Sequence, residues 1–189
     1  MKTVCEQCGC VFNATNRRGV TPKYCSNSCK QKAYRARKRR NAFGLDGFKD
    51  QRRWVRAAGK RPIMIDGSPA SSTDSSTWST FADVRSSTAG DGFGVMLGGG
   101  LGCYDIDHCF HGGVLDGWAL RFVDSIPERV LFSEKSVSSS GLHVFVEAAE
   151  SRGTRDKVGS GFVERYTRAR FIRVTGNECK FTQYNHCGG

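Results

Sequence analysis

Two pairs of cysteines, Cys5-x-x-Cys8 and Cys25-x-x-x-Cys29, separated by sixteen residues, constrain the N-terminal segment more than any other feature of the chain. Thiolate pairs at these spacings suit a tetrahedral Zn²⁺ ion. So short a segment, with so few apolar residues, cannot offset its chain entropy by burial alone, and order there requires a staple. Cys10 adds a thiol beside the first pair and could exchange with Cys8 as a ligand, although the C-x-x-C spacing favours Cys8. A reactive or disulfide-bonded cluster is the other reading. The chain carries no secretory signal and no apolar stretch of membrane-spanning length, so a cytoplasmic location with no membrane partner is expected. Nine cysteines then fit metal plus free thiols better than bridges.

Charge indicates the partner. The formal net charge is +11, and thirteen of the 29 Lys and Arg lie between residues 30 and 61. They are densest at Lys30, Lys32, Arg35, Arg37, Lys38, Arg39 and Arg40. A helix opening at Cys29 and running through this stretch presents positive charge on nearly every face. It would bind phosphate backbones by counterion release, with strong salt dependence and little sequence preference. A solvated face or a localisation signal would read the same way.

A different chemistry sits further along. Residues 90–107 read as two short apolar strands joined by a glycine turn, a hairpin whose far end is Asp105-Ile106-Asp107-His108. In an extended strand Asp105 and Asp107 share a face while Ile106 turns to the core. Paired carboxylates of this kind suit hard cations such as Mg²⁺ or Mn²⁺, although two aspartates on a polar surface strand look alike. Residues 115–123 show helical spacing of apolar positions. Strands follow over residues 136–146, with His143 near the start, then residues 161–166 and 170–176. His108, Cys109, Cys103 and His111 lack a compact four-ligand spacing, and Cys103 and Cys109 read as packing residues. Strand and helix alternate, which gives an α+β class.

The ordered motifs Arg61-Pro62-Ile63, Ser71-Ser72-Thr73-Asp74-Ser75-Ser76-Thr77-Trp78, Asp105-x-Asp107-His108-Cys109, Ser136-x-Ser138-x-x-Gly141-Leu142-His143, Glu164-x-Tyr166-x-x-x-Arg170-Phe171 and Thr175-Gly176-Asn177 span residues 59–177. This order resembles the phage primase-polymerase branch of the archaeo-eukaryotic primase superfamily. The resemblance implies an RRM-like catalytic palm and template-directed nucleotidyl transfer on single-stranded DNA. It implies that Asp105, Asp107 and Glu164 hold two Mg²⁺ or Mn²⁺ ions. It also implies that Ser136, Ser138, His143 and Arg170 bind an incoming NTP or dNTP, with Arg61 and Lys60 as further phosphate contacts. Val137 and Ser139 depart from the proline and glycine usual in that serine loop. Read without the resemblance, Glu164 among Arg165, Arg168 and Arg170 is a surface ion-pair cluster, and His143 a structural histidine. The stretch from Lys23 to Arg35 resembles treble-clef zinc fingers, in which the second cysteine pair opens a helix.

These pieces give an expected organisation: a zinc finger with a basic helix over residues 1–40, a connector over 41–58 with a short helical stretch near Arg52 to Ala58, a catalytic palm over 59–177, and a polar tail over 178–189. The serine-rich segment 68–80 reads as an ordered loop entering a short helix. The expected function is a DNA primase or primase-polymerase of phage or mobile-element DNA replication, working in the host cytoplasm with a separate helicase. Two other classes compete: a nicking or replication-initiator endonuclease on a related palm, which would want paired histidines and a nucleophilic tyrosine, and a non-catalytic zinc-finger DNA-binding protein.

Overall fold

A computed structural model of the chain describes residues 2–14, 21–41 and 44–180. The chain divides into two compact units, Met1–Phe43 and Gly44–Gly189.

In the first unit, β1 (Lys2–Val4) pairs antiparallel with β2 (Val11–Asn13), and α1 (Asn27–Asn41) follows. The turn between the strands is tied by Cys5 N–H donating to Cys10 O (2.9 Å) and Gly9 N–H to Cys5 O (2.9 Å). Gly9 takes φ +72° there, which a glycine adopts without steric cost. Ser26 caps α1 by accepting the Cys29 N–H at 3.2 Å, so the helix starts at Asn27 and Cys29 lies in its first turn. Buried apolar residues among those described in this unit are only Cys5, Ala14 and Ala33, too little to hold it by hydrophobic burial. Lys30 and Lys32 are exposed on α1. The side chains of Arg35, Arg37, Lys38, Arg39 and Arg40 lie outside the described residues, as do residues 181–189 of the expected tail.

The second unit is mixed α+β, mostly sheet. Its elements are β3 (Trp54–Ala58), β4 (Arg61–Ile63), α2 (Phe81–Ser86), β5 (Gly92–Met96), β6 (Leu101–Asp107), β7 (Phe110–His111), β8 (Val114–Leu115), α3 (Gly117–Asp124), β9 (Val130–Lys135), β10 (Leu142–Glu147), β11 (Thr154–Val158), β12 (Gly161–Tyr166) and β13 (Phe171–Val174). One sheet runs β11-β12-β6-β10-β9 and a second runs β13-β5-β3-β4, every pair antiparallel. Ile106, Leu142, Val144 and Val163 pack with Ala119 and Val123 of α3, so this face of the five-stranded sheet is core. Strand alternation turns the residues on either side of Ile106 to the opposite face. A capping box between Thr80 and Asp83 starts α2, where the serine-rich segment ends.

Three expectations are corrected. Residues 90–107 do not form a hairpin: β5 and β6 lie in different sheets, linked by a turn in which Gly98, Gly99 and Gly100 have φ of +135°, +54° and +92°. Each strand already has a neighbour on both edges, β3 and β13 for one, β10 and β12 for the other, so neither has an edge left for its sequence neighbour. The helical stretch near Arg52 to Ala58 is instead β3, with Trp54, Val55 and Ala57 all buried. Burial on both faces overrides the helix preference of its alanines. Most of the expected connector therefore folds with the second unit, anchored by fully buried Leu45 and by Trp54 Nε1 donating to Phe48 O at 2.9 Å.

Candidate active site and metal centre

The antiparallel register of the five-stranded sheet sets five polar side chains abreast. Arg155 of β11 is opposite Glu164 of β12, which is opposite Asp105 of β6, then His143 of β10, then Glu134 of β9. Residues directly opposite in such a ladder share a face, and Asp107 lies two positions along the same face. Across this row His143 Nε2 stands 3.7 Å from Asp105 Oδ1, and Nδ1 stands 3.2 Å from Glu134 Oε1. Glu164 Oε1 pairs with Arg155 Nε at 3.1 Å, and its Oε2 accepts the Tyr166 hydroxyl at 2.9 Å. Arg170 reaches the same carboxylate at 3.9 Å and covers the Tyr166 ring at 4.4 Å.

Asp105, Asp107, His143 and Glu164 line a cleft of about 520 Å³ together with Lys60 and Arg173. Ser136, Ser138 and Arg170 line it as well. Arg61 does not: it lies on a separate depression with Asp66 and Gly90, while its neighbour Lys60 reaches the cleft. Burial pushes the Asp105 carboxyl above the usual range. His143 and Arg170 pull it back, and the charges of Asp107 and Glu164 push it further up.

The serine loop is closed on itself. Ser136 N–H donates to Gly141 O (2.9 Å), Gly141 N–H to Ser136 Oγ (3.2 Å), and Ser139 N–H to Ser136 O (2.9 Å). Hydroxyls of Ser136, Ser138 and Ser140 follow one another at 3.1 and 2.9 Å. Gly141 fits this closure tightly, since a Cβ there would meet Ser136 Oγ at 2.9 Å and Ile106 O at 3.1 Å.

Glu134 is the residue that sequence reasoning missed. It is fully buried, yet accepts from Thr175 N–H (3.1 and 3.0 Å) and Gly176 N–H (2.8 Å) and lies 3.2 Å from Nδ1 of the His143 imidazole. Its signal in the sequence is an acidic residue two positions after Phe132, on the same strand face as that apolar side chain. Arg165 leaves the cleft face and pairs with Glu128 at 2.7 Å, so it is no part of a cluster around Glu164. Cys103 and Cys109 are fully buried. His108 sits exposed at a turn with φ +54°, and His111 is held by Asp116 at 2.9 Å.

In the first unit the sulfurs of Cys5, Cys8, Cys25 and Cys29 lie within 4.8 Å of one another. Cys8 to Cys25 and Cys25 to Cys29 are each 3.6 Å, close to the edge of about 3.8 Å that a tetrahedron with Zn–S bonds of about 2.3 Å requires. The donor set therefore fits a metal such as zinc. Cys10 Sγ lies 3.2 Å from Cys8 Sγ, outside that set of four. Although desolvation pushes the Cys5 thiol up, hydrogen bonds from the backbone of Cys25, Gln7 and Cys8 hold it down at about 6. Cys25 is pushed up to about 11, first by the Cys10 side chain. So many sulfurs cannot all be thiolates without a cation among them. Among the described residues this is the one group whose three or more metal-ligating atoms gather so closely; the three carboxylates of the cleft are set wider.

No helix among the described residues is long and apolar enough to cross a membrane. Compared with models of protein families and with curated proteins, the chain matches none.

Proposed function

We propose that the second unit is an RRM-like primase-polymerase palm and that the protein is a DNA primase, copying single-stranded template from NTPs or dNTPs in phage or mobile-element replication. The observation that carries this reading is the register that aligns Glu164, Asp105 and His143 across three strands with Asp107 on the same face, lining one cleft with Ser136, Ser138 and Arg170. Asp105, Asp107 and Glu164 would hold Mg²⁺ or Mn²⁺, which lowers the pKa of an attacking 3′-hydroxyl and neutralises the triphosphate. Such ions commonly take one or two carboxylates and fill the rest of their shell with water and substrate phosphates, so a widely set row suits them. Arg170 offers a planar donor fork to the triphosphate. Lys60 adds positive charge to the same cleft, and the serine hydroxyls supply neutral donors. Glu134 fixes the His143 ring so that Nε2 faces the cleft. The treble-clef-like first unit, with zinc on its four cysteines, and α1 would capture template, and a separate helicase would supply it.

The test is incubation of the protein with unprimed single-stranded DNA, Mg²⁺ or Mn²⁺ and labelled nucleotides, beside an Asp105→Ala/Asp107→Ala variant. Short metal-dependent products from the wild type alone support the reading. Synthesis by the variant removes the catalytic assignment, and cleaved template in place of products turns it to a nuclease.

A further inference from the structure

The sheet face that carries the carboxylates continues onto β12 and the outer strand β11, and its chemistry changes there. Phe162 is opposite Asp107 on one side and Lys157 on the other. Its ring is half-buried and carries the Arg155 guanidinium 4.4 Å from its centroid. Arg155 is 61% exposed, and Lys157 is exposed too.

Outer strands often carry cations simply to discourage edge pairing, which asks for charge on either face. Here the distribution is one-sided. Arg155 and Lys157 both share the face of the carboxylates, whereas the acid between them, Asp156, is opposite Val163 and lies beside Tyr104 and Phe122 on the helix side. The open face therefore holds two cations around one aromatic ring, the composition that grips phosphates while stacking a base.

We infer that the β11–β12 face is a track for single-stranded nucleic acid, with one base stacked on Phe162 and flanking phosphates on Arg155 and Lys157. This rests on the proposed palm and adds a grip within it, separate from α1. A base on Phe162 takes the place of the Arg155 guanidinium, which turns to the phosphate. The same turn breaks the 3.1 Å pair between Arg155 and Glu164, leaving Oε1 of that carboxylate open to a cation while Oε2 keeps Tyr166 and Arg170. The stacked base stands beside Asp107, where the strand being copied or extended must pass.

The test uses the full-length, zinc-loaded protein without nucleotide or divalent cation, irradiated while bound to an oligodeoxythymidylate carrying iododeoxyuridine, with adducts mapped by mass spectrometry. The expected adduct is on Phe162, in the tryptic peptide of residues 158–165, and Phe162→Leu removes it. An Arg155→Gln/Lys157→Gln variant should flatten the slope of log affinity against log salt by roughly 1.4, at about 0.7 per phosphate on a single strand. Wild-type adducts that miss residues 158–165, whether they fall on residues 23–41 or nowhere, overturn the track. Because no nucleotide is present, the outcome is independent of synthesis: primers without this adduct sink the track alone, and the adduct without primers sinks the primase reading alone.

Discussion

Nδ1 of His143 lies 3.2 Å from Oε1 of Glu134, a glutamate with no solvent exposure. Its other partners are the backbone N–H groups of Thr175 and Gly176. Both backbone groups are donors, which the acceptor oxygens of a carboxylate suit. That leaves Nε2 of His143 toward Asp105, and it links β9, β10 and the segment after β13 through one side chain.

Removing Glu134 takes the acceptor from the half-buried Thr175 N–H and the partner from the buried His143 ring. Glu134→Ala should destabilise the second unit by about 3 kcal/mol, given about 1–3 kcal/mol for each unsatisfied buried group. Urea unfolding followed by tryptophan fluorescence measures this. Glu134→Gln keeps the shape and should cost less stability, but it should lower nucleotide incorporation because the ring of His143 loses its fixed orientation.

Asp105 trades stability for its position. Its folded carboxyl is raised by burial, so the stability linked to its proton is fully present below the ordinary carboxylate pKa and is lost as pH rises through the raised value. Asp105→Asn should therefore raise the melting temperature of the metal-free protein at neutral pH, and the gain should shrink as the solution is made acidic. A gain that is equal at both pH values would contradict the assignment of burial as the cause.

The thiol cluster should bind one zinc per chain, measurable by native mass spectrometry. Cys8→Ser and Cys25→Ser should lose the ion, and with it the fold of the first unit, since on the order of 10 kcal/mol of binding free energy is coupled to folding in such sites. Cys10→Ser should keep it. Loss of zinc in Cys10→Ser with retention in Cys8→Ser would reverse the ligand choice.

Ser139 holds φ +60°, a conformation that costs a non-glycine residue roughly 1 kcal/mol. Ser139→Gly should keep or improve stability, by up to about 1 kcal/mol, and leave nucleotide incorporation intact. Gly141→Ala should do the reverse: its Cβ would strike Ser136 Oγ and the Ile106 carbonyl, opening the loop and weakening nucleotide binding, which isothermal titration would show.

Much of the site was legible because strand alternation is a local rule. It put Asp105 and Asp107 on one face with Ile106 in the core, and the burial of Ile106 agrees. What could not be read depended on partners distant in sequence. Glu134 is buried only because the Thr175 and Gly176 backbone reaches it from forty-odd residues away. The glycine turn at residues 98–100 announced a reversal but not that both strands already had neighbours on each edge. Arg56-Ala57-Ala58 has the composition of a helix, and only packing around Trp54 makes it a strand, with Phe81 at 4.8 Å and Phe93 at 6.3 Å. Arg61 and Lys60 were both candidate phosphate contacts; β4 turns one away from the cleft and leaves the other at its wall.

Template-directed synthesis is most directly tested by supplying each labelled nucleotide singly with homopolymeric single-stranded DNA templates and a divalent cation. Incorporation of adenine nucleotides alone on a thymidylate template, and of guanine nucleotides alone on a cytidylate template, both abolished in Asp105→Ala/Asp107→Ala, is the expected result. Incorporation that ignores the template, or survives the double substitution, would contradict the assignment of this cleft as a copying site.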